Sequence, residues 1–188
     1  MRKLLIILVC VFAATANSGA QTFARVRVFR TADRTVDQAE HRPGVVVRLD
    51  SGDARWADDA AKSAAEDSGQ PLVVVEPRDV AAAPLPPDAT LPGAAAFTAM
   101  SFKPVFENEK VRVIRARMEV GAKEAFHTHA ADTVVVHLSG GQIEDTAGGK
   151  TVVNKWKRGD VEYEARGSSH SARNVGGPVD VVLVALKP

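Results

Sequence analysis

The chain has 188 residues, of which 45 % are apolar, 25 % charged and 5 % aromatic, an ordinary globular composition that excludes collagen, a disulfide scaffold and wholesale disorder. Its 24 Lys and Arg nearly balance 23 Asp and Glu, so no broad basic field points to nucleic acid or to an anionic membrane surface. At the N-terminus, Arg2 and Lys3 precede an apolar run from Leu4 to Ala14, and Ser18 and Ala20 flank Gly19 ahead of Gln21. This is the pattern of a secretory signal peptide over residues 1–20. As a helix the run would cover about 16 Å, roughly half a hydrocarbon core, which is short for a permanent span. The expected location is therefore outside the cytoplasm, periplasmic or secreted, with no membrane span once the signal is removed. Cys10, the single cysteine, leaves with the signal, so a metal would have to be held by histidine and carboxylate side chains.

The remainder is written in short Val-rich runs: Val26 to Phe29, Val45 to Leu49, Leu72 to Val75, Val111 to Ile114, Thr133 to Leu138, Thr151 to Val153 and Val179 to Leu186. Gly, Pro, Asn and Asp clusters separate them, the signature of an all-β sandwich or barrel. Asp58 to Asp67 is rich in Ala but has almost no apolar stripe and carries little helical signal. Val80 to Ala96 holds four of the ten prolines and reads as an extended linker. Its two flanks repeat each other. Val26–Arg30 matches Val111–Arg115, Val45–Gly52 matches Val134–Gly141, and a third block pairs Trp56 with Tyr163 and Val74-Val75 with Val181-Val182. The offset grows between the second and third blocks, as though the first copy lacked a hairpin of the second. Two such open units can cover each other face to face.

Four of the five histidines fall between His127 and His170. His127 and His129 are one residue apart, so on a strand both rings leave the same face. His170 follows beyond a hairpin and can return beside them on a neighbouring strand. Three neutral imidazoles suit iron, manganese, nickel, copper or zinc with positions left open.

The order Gly121-x5-His127-x-His129-x3-Thr133-x6-Gly140 resembles the first motif of the cupins, and Gly159-x5-Ala165-x-Gly167-x2-His170-x3-Asn174 resembles the second. The resemblance implies a cupin-type antiparallel β-barrel (a jelly roll, or double-stranded β-helix) with a divalent metal on His127, His129 and His170. The implied layout is a signal peptide at 1–20, a shortened, degenerate cupin-like repeat at 21–78, an Ala/Pro-rich linker at 79–100 and a cupin domain at 101–188. Thr133 stands where the family pattern has a glutamate ligand, and Ala165 where it has proline. Asp132, next to Thr133, projects from the opposite face on a regular strand, and only a bulge would turn it inward.

His137 shares parity with His129 but lies about 13 Å beyond Thr133 along an extended strand, so it reads as a half-buried residue bonded to a neighbour. His41 lies before Pro43 in the first copy, where the positions nearest the motif histidines are Gln38, Glu40, Arg42 and Gly44, depending on register, and Ser63 stands in place of His170, so that copy has no metal site. Glu119, Glu124, Glu144 and Glu162 read as solvated, and Trp156 and Tyr163 as core. Phosphate loops, nucleophile elbows and His-Glu-x-x-His helices are missing from the sequence, and Ser168-Ser169-His170 is not a nucleophile–base arrangement. The function implied is an exported cupin that binds a divalent metal and acts on or holds a small polar molecule, with dioxygenase-like chemistry if it is an enzyme. The alternatives are a metal-free small-ligand binder and a structural or interaction module, with pairing into a homodimer expected from the family. No nucleic-acid partner is expected.

Overall fold

The computed structural model of the chain describes residues 20–31, 42–67, 69–93 and 96–188. The expected signal peptide, up to residue 19, and Gln38, Glu40 and His41 lie outside them. Among the described residues no helix is long and apolar enough to cross a membrane.

The N-terminal part comprises β1 (Gln21–Thr22), β2 (Val26–Arg30), β3 (Gly44–Arg48), β4 (Ala54–Ala57), α1 (Ala60–Glu66) and β5 (Leu72–Pro77). Its strands form one sheet in the order β1-β2-β5-β3-β4. The Ala-rich segment with little helical signal is thus a helix. Asp59 caps it, its Oδ1 accepting from the Lys62 amide at 2.9 Å, which satisfies one of the orphan donors of the first turn. Its buried stripe is only the methyl groups of Ala60 and Ala64, four residues apart, packed on Phe29, Val46, Leu72 and Val74. So narrow a stripe leaves almost no hydrophobic period in the sequence.

The C-terminal part comprises β6 (Phe97–Glu107), β7 (Val111–Thr128), β8 (Thr133–His137), β9 (Gly141–Ala147), β10 (Lys150–Trp156), β11 (Val161–Glu164), β12 (Ser169–Asn174) and β13 (Val179–Leu186). β6 begins four residues ahead of the expected boundary at 101. The strands run in the order β10-β9-β12-β7-β13-β8-β11, with β6 paired to β7. This sheet curls until β7 to β13 all face one interior, the jelly-roll barrel that the two motifs imply. The lower interior is apolar, built from Ala116, Met118, Ala122, Val135, Val179 and Val181.

The two parts share a pattern of pairing. In the first sheet Val45 lies opposite both Trp56 and Val75, and Val28 opposite Val75. In the barrel Val134 lies opposite Tyr163 and Val184, and Val113 opposite Val184. The run β2-β5-β3-β4 therefore has the order and register of β7-β13-β8-β11, with Val75 equivalent to Val184, two residues beyond the sequence match. β3 turns directly into β4, whereas the hairpin β9–β10 separates β8 from β11. The runs face each other: Val26, Val28, Val45, Val47, Val73 and Val75 pack on Val111, Val113, Val134, Val136, Val182, Val184 and Leu186. Both faces of β8 are then buried, which is why Val134-Val135-Val136 is a continuous apolar run without alternation.

Two ties fix the frame around the histidine strand. Arg25 reaches Asp132 with Nη1 at 3.2 Å and the Lys187 carbonyl with Nη2 at 2.8 Å. The Pro-rich segment forms no strand or helix over 78–93 but is held along the barrel. The Thr128 amide donates to the Thr90 carbonyl at 2.7 Å, the Thr90 amide to Thr128 Oγ1 at 3.0 Å, and Arg166 Nε to the Ala83 carbonyl at 2.7 Å.

Candidate metal centre

β7 carries His127 at its end and leads directly to His129, and β12 returns antiparallel with His170 opposite His127. The three imidazoles meet inside the barrel with ring centroids 4.8–4.9 Å apart. Their ligand nitrogens lie within 4.8 Å of one another, the spacing of a group able to hold a metal ion. Phe97 of β6 closes one side, its ring 5.5 Å from that of His127.

Each Nδ1 stands beside an acceptor. His127 Nδ1 is 2.9 Å from the Ala125 carbonyl, His170 Nδ1 is 2.9 Å from Asp145 Oδ1, and His129 Nδ1 is 3.4 Å from Glu164 Oε2. Contacts of this kind set the tautomer and orient the ring, leaving Nε2 as the ligating atom. His170 Nε2 is buried and has no hydrogen-bond partner among the described residues. Its nearest acidic partner is Glu124, with Oε2 at 3.5 Å.

Burial disfavours the charged form of His170, but the carboxylates of Asp145 and Glu124 outweigh it and push the pKa up to about 11. His129 moves the other way, down to about 3, because of burial and then the positive charge of His170 and His127. Burial, followed by the neighbouring Glu162, raises the Glu164 carboxyl well above the usual carboxylate range. With His129 neutral, its 3.4 Å contact with Glu164 is not an ion pair. Without metal, the proton on His170 is the positive charge among these carboxyls. A divalent ion would replace it and draw the nitrogens closer, since metal–nitrogen bonds of about 2.0–2.1 Å hold adjacent ligands about 3–3.4 Å apart. The Nδ1 atoms set beside acceptors, the close cluster of three ring nitrogens and the surplus of carboxyls fit such an ion.

Several sequence expectations are corrected inside the barrel. His137 is fully buried rather than half-buried, and neither ring nitrogen has a hydrogen-bond partner among the described residues. It stacks on Trp156, with centroids 4.5 Å apart, and its Nε2 lies 4.0 Å from Glu162 Oε2. Glu124 and Glu162 line the interior instead of facing solvent, together with Glu164, Asp145 and Trp156. Glu164 and Asp145 were not singled out from the sequence. Alternation along β11 places Glu164 on the face of Glu162, and the signal for both was an acidic residue at an inward position of a strand.

Glu119 and Glu144 do face outward, paired with Arg117 and Arg173. Tyr163 is on the outer face, stacked on Phe23 at 4.5 Å and donating to Asp132 Oδ1 at 2.6 Å. Asp132 also accepts from the Arg166 amide at 3.0 Å, so it is occupied away from the histidines. Thr133 turns its hydroxyl toward the Ala131 carbonyl at 3.5 Å. Ser63 lies in α1 and receives a hydrogen bond from Arg55.

No family model and no curated protein matches the chain. Among solved structures it is similar to a cupin domain from Bordetella pertussis, with 23% identity, 48% of this chain and 95% of that one covered, and a TM-score of 0.45. It is also similar to a cupin-like protein from Thermotoga maritima, with 18% identity, 52% and 76% covered, and a TM-score of 0.41. A third is the polyketide cyclase RemF from Streptomyces resistomycificus, with 13% identity, 48% and 67% covered, and a TM-score of 0.42.

Proposed function

We propose that this cupin-type protein is exported, holds one divalent transition-metal ion on His127, His129 and His170, and presents it to a small polar molecule. The observation that carries the reading is the set of three imidazoles whose ligand nitrogens lie within 4.8 Å of one another, each with its Nδ1 beside an acceptor. The ion, whether iron, manganese, nickel, copper or zinc, would supply a Lewis-acid or oxygen-activating centre. The chain's own residues do the rest. Asp145 and the Ala125 carbonyl orient two of the rings, Glu164 stands beside Nδ1 of His129, and Phe97 covers one side of His127. Against His170 the barrel interior holds a small cavity of about 50 Å³ lined by Asp145, Asn154, Glu162 and Glu164 among others, groups suited to hydrogen-bonding a small polar ligand. Dioxygenase-like turnover is the activity this arrangement would serve.

The test is elemental analysis of the full chain purified without chelator, beside the His127→Ala/His170→Ala variant. Near-stoichiometric metal is expected in the parent alone. Because the ion binds only the folded state, it should also raise the thermal midpoint, by the equivalent of about 2.7 kcal/mol at a hundredfold excess over Kd. Background metal in both proteins, even after incubation with each ion, would overturn the metal reading and leave a metal-free binding module.

A further inference from the structure

We propose that Glu124 is the carboxylate ligand of this centre, in the role that the motif pattern gives to the position held here by Thr133. The inference rests on the three-histidine reading and deepens it. Strict alternation along β7 would send Glu124 to the face opposite His127. The pairing with β12 shows otherwise: His127 lies opposite His170 and Glu124 opposite Ala172, so Ala125 and Phe126 together oppose Ser171. This bulge inserts one residue, reverses the parity and turns Glu124 into the barrel, while Phe126 stays exposed.

Glu124 Oε2 arrives 3.5 Å from His170 Nε2, the buried atom without a hydrogen-bond partner. Two ligands of one ion, each about 2.1 Å from it, stand about 3–3.4 Å apart, so the oxygen is already close to a ligating separation from His170 Nε2, and a turn of the Glu124 side chain toward His127 and His129 would complete the set. The other interior carboxyls are placed differently. Asp145 and Glu164 lie on the Nδ1 sides of His170 and His129, where they orient rings, and Glu162 is beside His137. Thr133 has only a hydroxyl to offer. Glu124 alone among them approaches on the Nε2 side, bringing a negative charge and a hard oxygen to three neutral nitrogens.

Cobalt(II) titration of the full chain, followed by its visible absorption and by competition with a chelator, tests the assignment. The parent should bind Co2+ and His127→Ala/His170→Ala should not, which checks the histidine reading by itself. Glu124→Gln should weaken binding by at least about tenfold and shift the visible bands. Adding Thr133→Glu to Glu124→Gln should recover affinity to within a few fold. Glu119→Gln, at an exposed position paired with Arg117, should change nothing. The metal-free circular dichroism of Glu124→Gln should equal that of the parent, and Glu124→Asp, which keeps the charge, should bind with intermediate strength. Parent-like Co2+ affinity in Glu124→Gln would overturn the proposal while the histidine site stands. Weaker binding with unchanged bands and no recovery by Thr133→Glu would also overturn it, making Glu124 a positioning residue for His170. A parent that takes up no Co2+ would overturn both readings.

Discussion

At the scale of single residues, the chain divides its buried charge between two faces of one strand region. Inward lie the histidines and their carboxyls, and outward lies Asp132. Burial alone would raise the Asp132 carboxyl, but the Tyr163 hydroxyl, the Arg166 amide and Arg25 outweigh it and hold it below the usual carboxylate range. A carboxyl depressed in the folded state stabilises the fold above its unfolded pKa, about 3.9, and that stabilisation is lost as pH falls through the folded value. Thermal midpoints recorded from pH 7 down to 3 should therefore fall steeply at the acid end. Asp132→Asn should be less stable by about 1–3 kcal/mol at neutral pH, since it leaves the half-buried Arg25 without its anion. It should also show less of the acid slope. An equally steep slope in the variant would place the acid-sensitive group elsewhere.

Among the elements, α1 and β7 show two ways in which local rules give way to packing. α1 lies so close to the sheet that a Cβ on Gly44 would meet the Val75 carbonyl oxygen at 2.6 Å and Ala60 Cβ at 3.1 Å. Both obstacles are fixed, one in the backbone of β5 and the other in the helix. Gly44→Ala should cost about 1–3 kcal/mol, read from the midpoint of urea denaturation, and an unchanged midpoint would mean that α1 can lift from the sheet. In β7 the departure is the bulge before His127, which leaves the His127 and His129 side chains on one face but changes the side from which Glu124 projects. Bulges belong to the pairing of two strands and not to either strand's sequence.

For the whole molecule, the important contact is between the two sheets. The barrel's outer face carries Val111, Val113, Val134, Val136, Val182, Val184 and Leu186, all covered by the N-terminal sheet. At about 1.5–3 kcal/mol for each buried aliphatic side chain, covering this face contributes on the order of 10 kcal/mol, comparable with the net stability of a domain, about 5–15 kcal/mol. A chain lacking residues 21–78 should self-associate or precipitate, as size-exclusion chromatography with light scattering would show. A stable monomer of that form would refute the dependence. The intact chain spends this face on itself, so the pairing into a homodimer that the family resemblance implies has to use another surface. A concentration series in light scattering measures whether it pairs at all.

The sequence by itself determined what depends on short-range geometry and on repeated composition. One residue between His127 and His129 puts both rings on one face, parity sends Asp132 to the other, and Val-rich runs between turn residues make strands. The two motif spacings were enough to imply the barrel. What the tertiary structure decided depends on which strands become neighbours. That Glu164 stands across from Thr133 follows from the pairing of β8 with β11, and that Glu124 turns inward follows from the bulge against β12. His137 was misjudged because burial on both faces of β8 erases the alternation that normally tells inside from outside. The helix escaped notice because two alanine methyls satisfy a shallow contact without leaving a periodic signal. Side-chain direction along one strand is a local property, whereas the partner across the ladder is fixed only when distant segments meet.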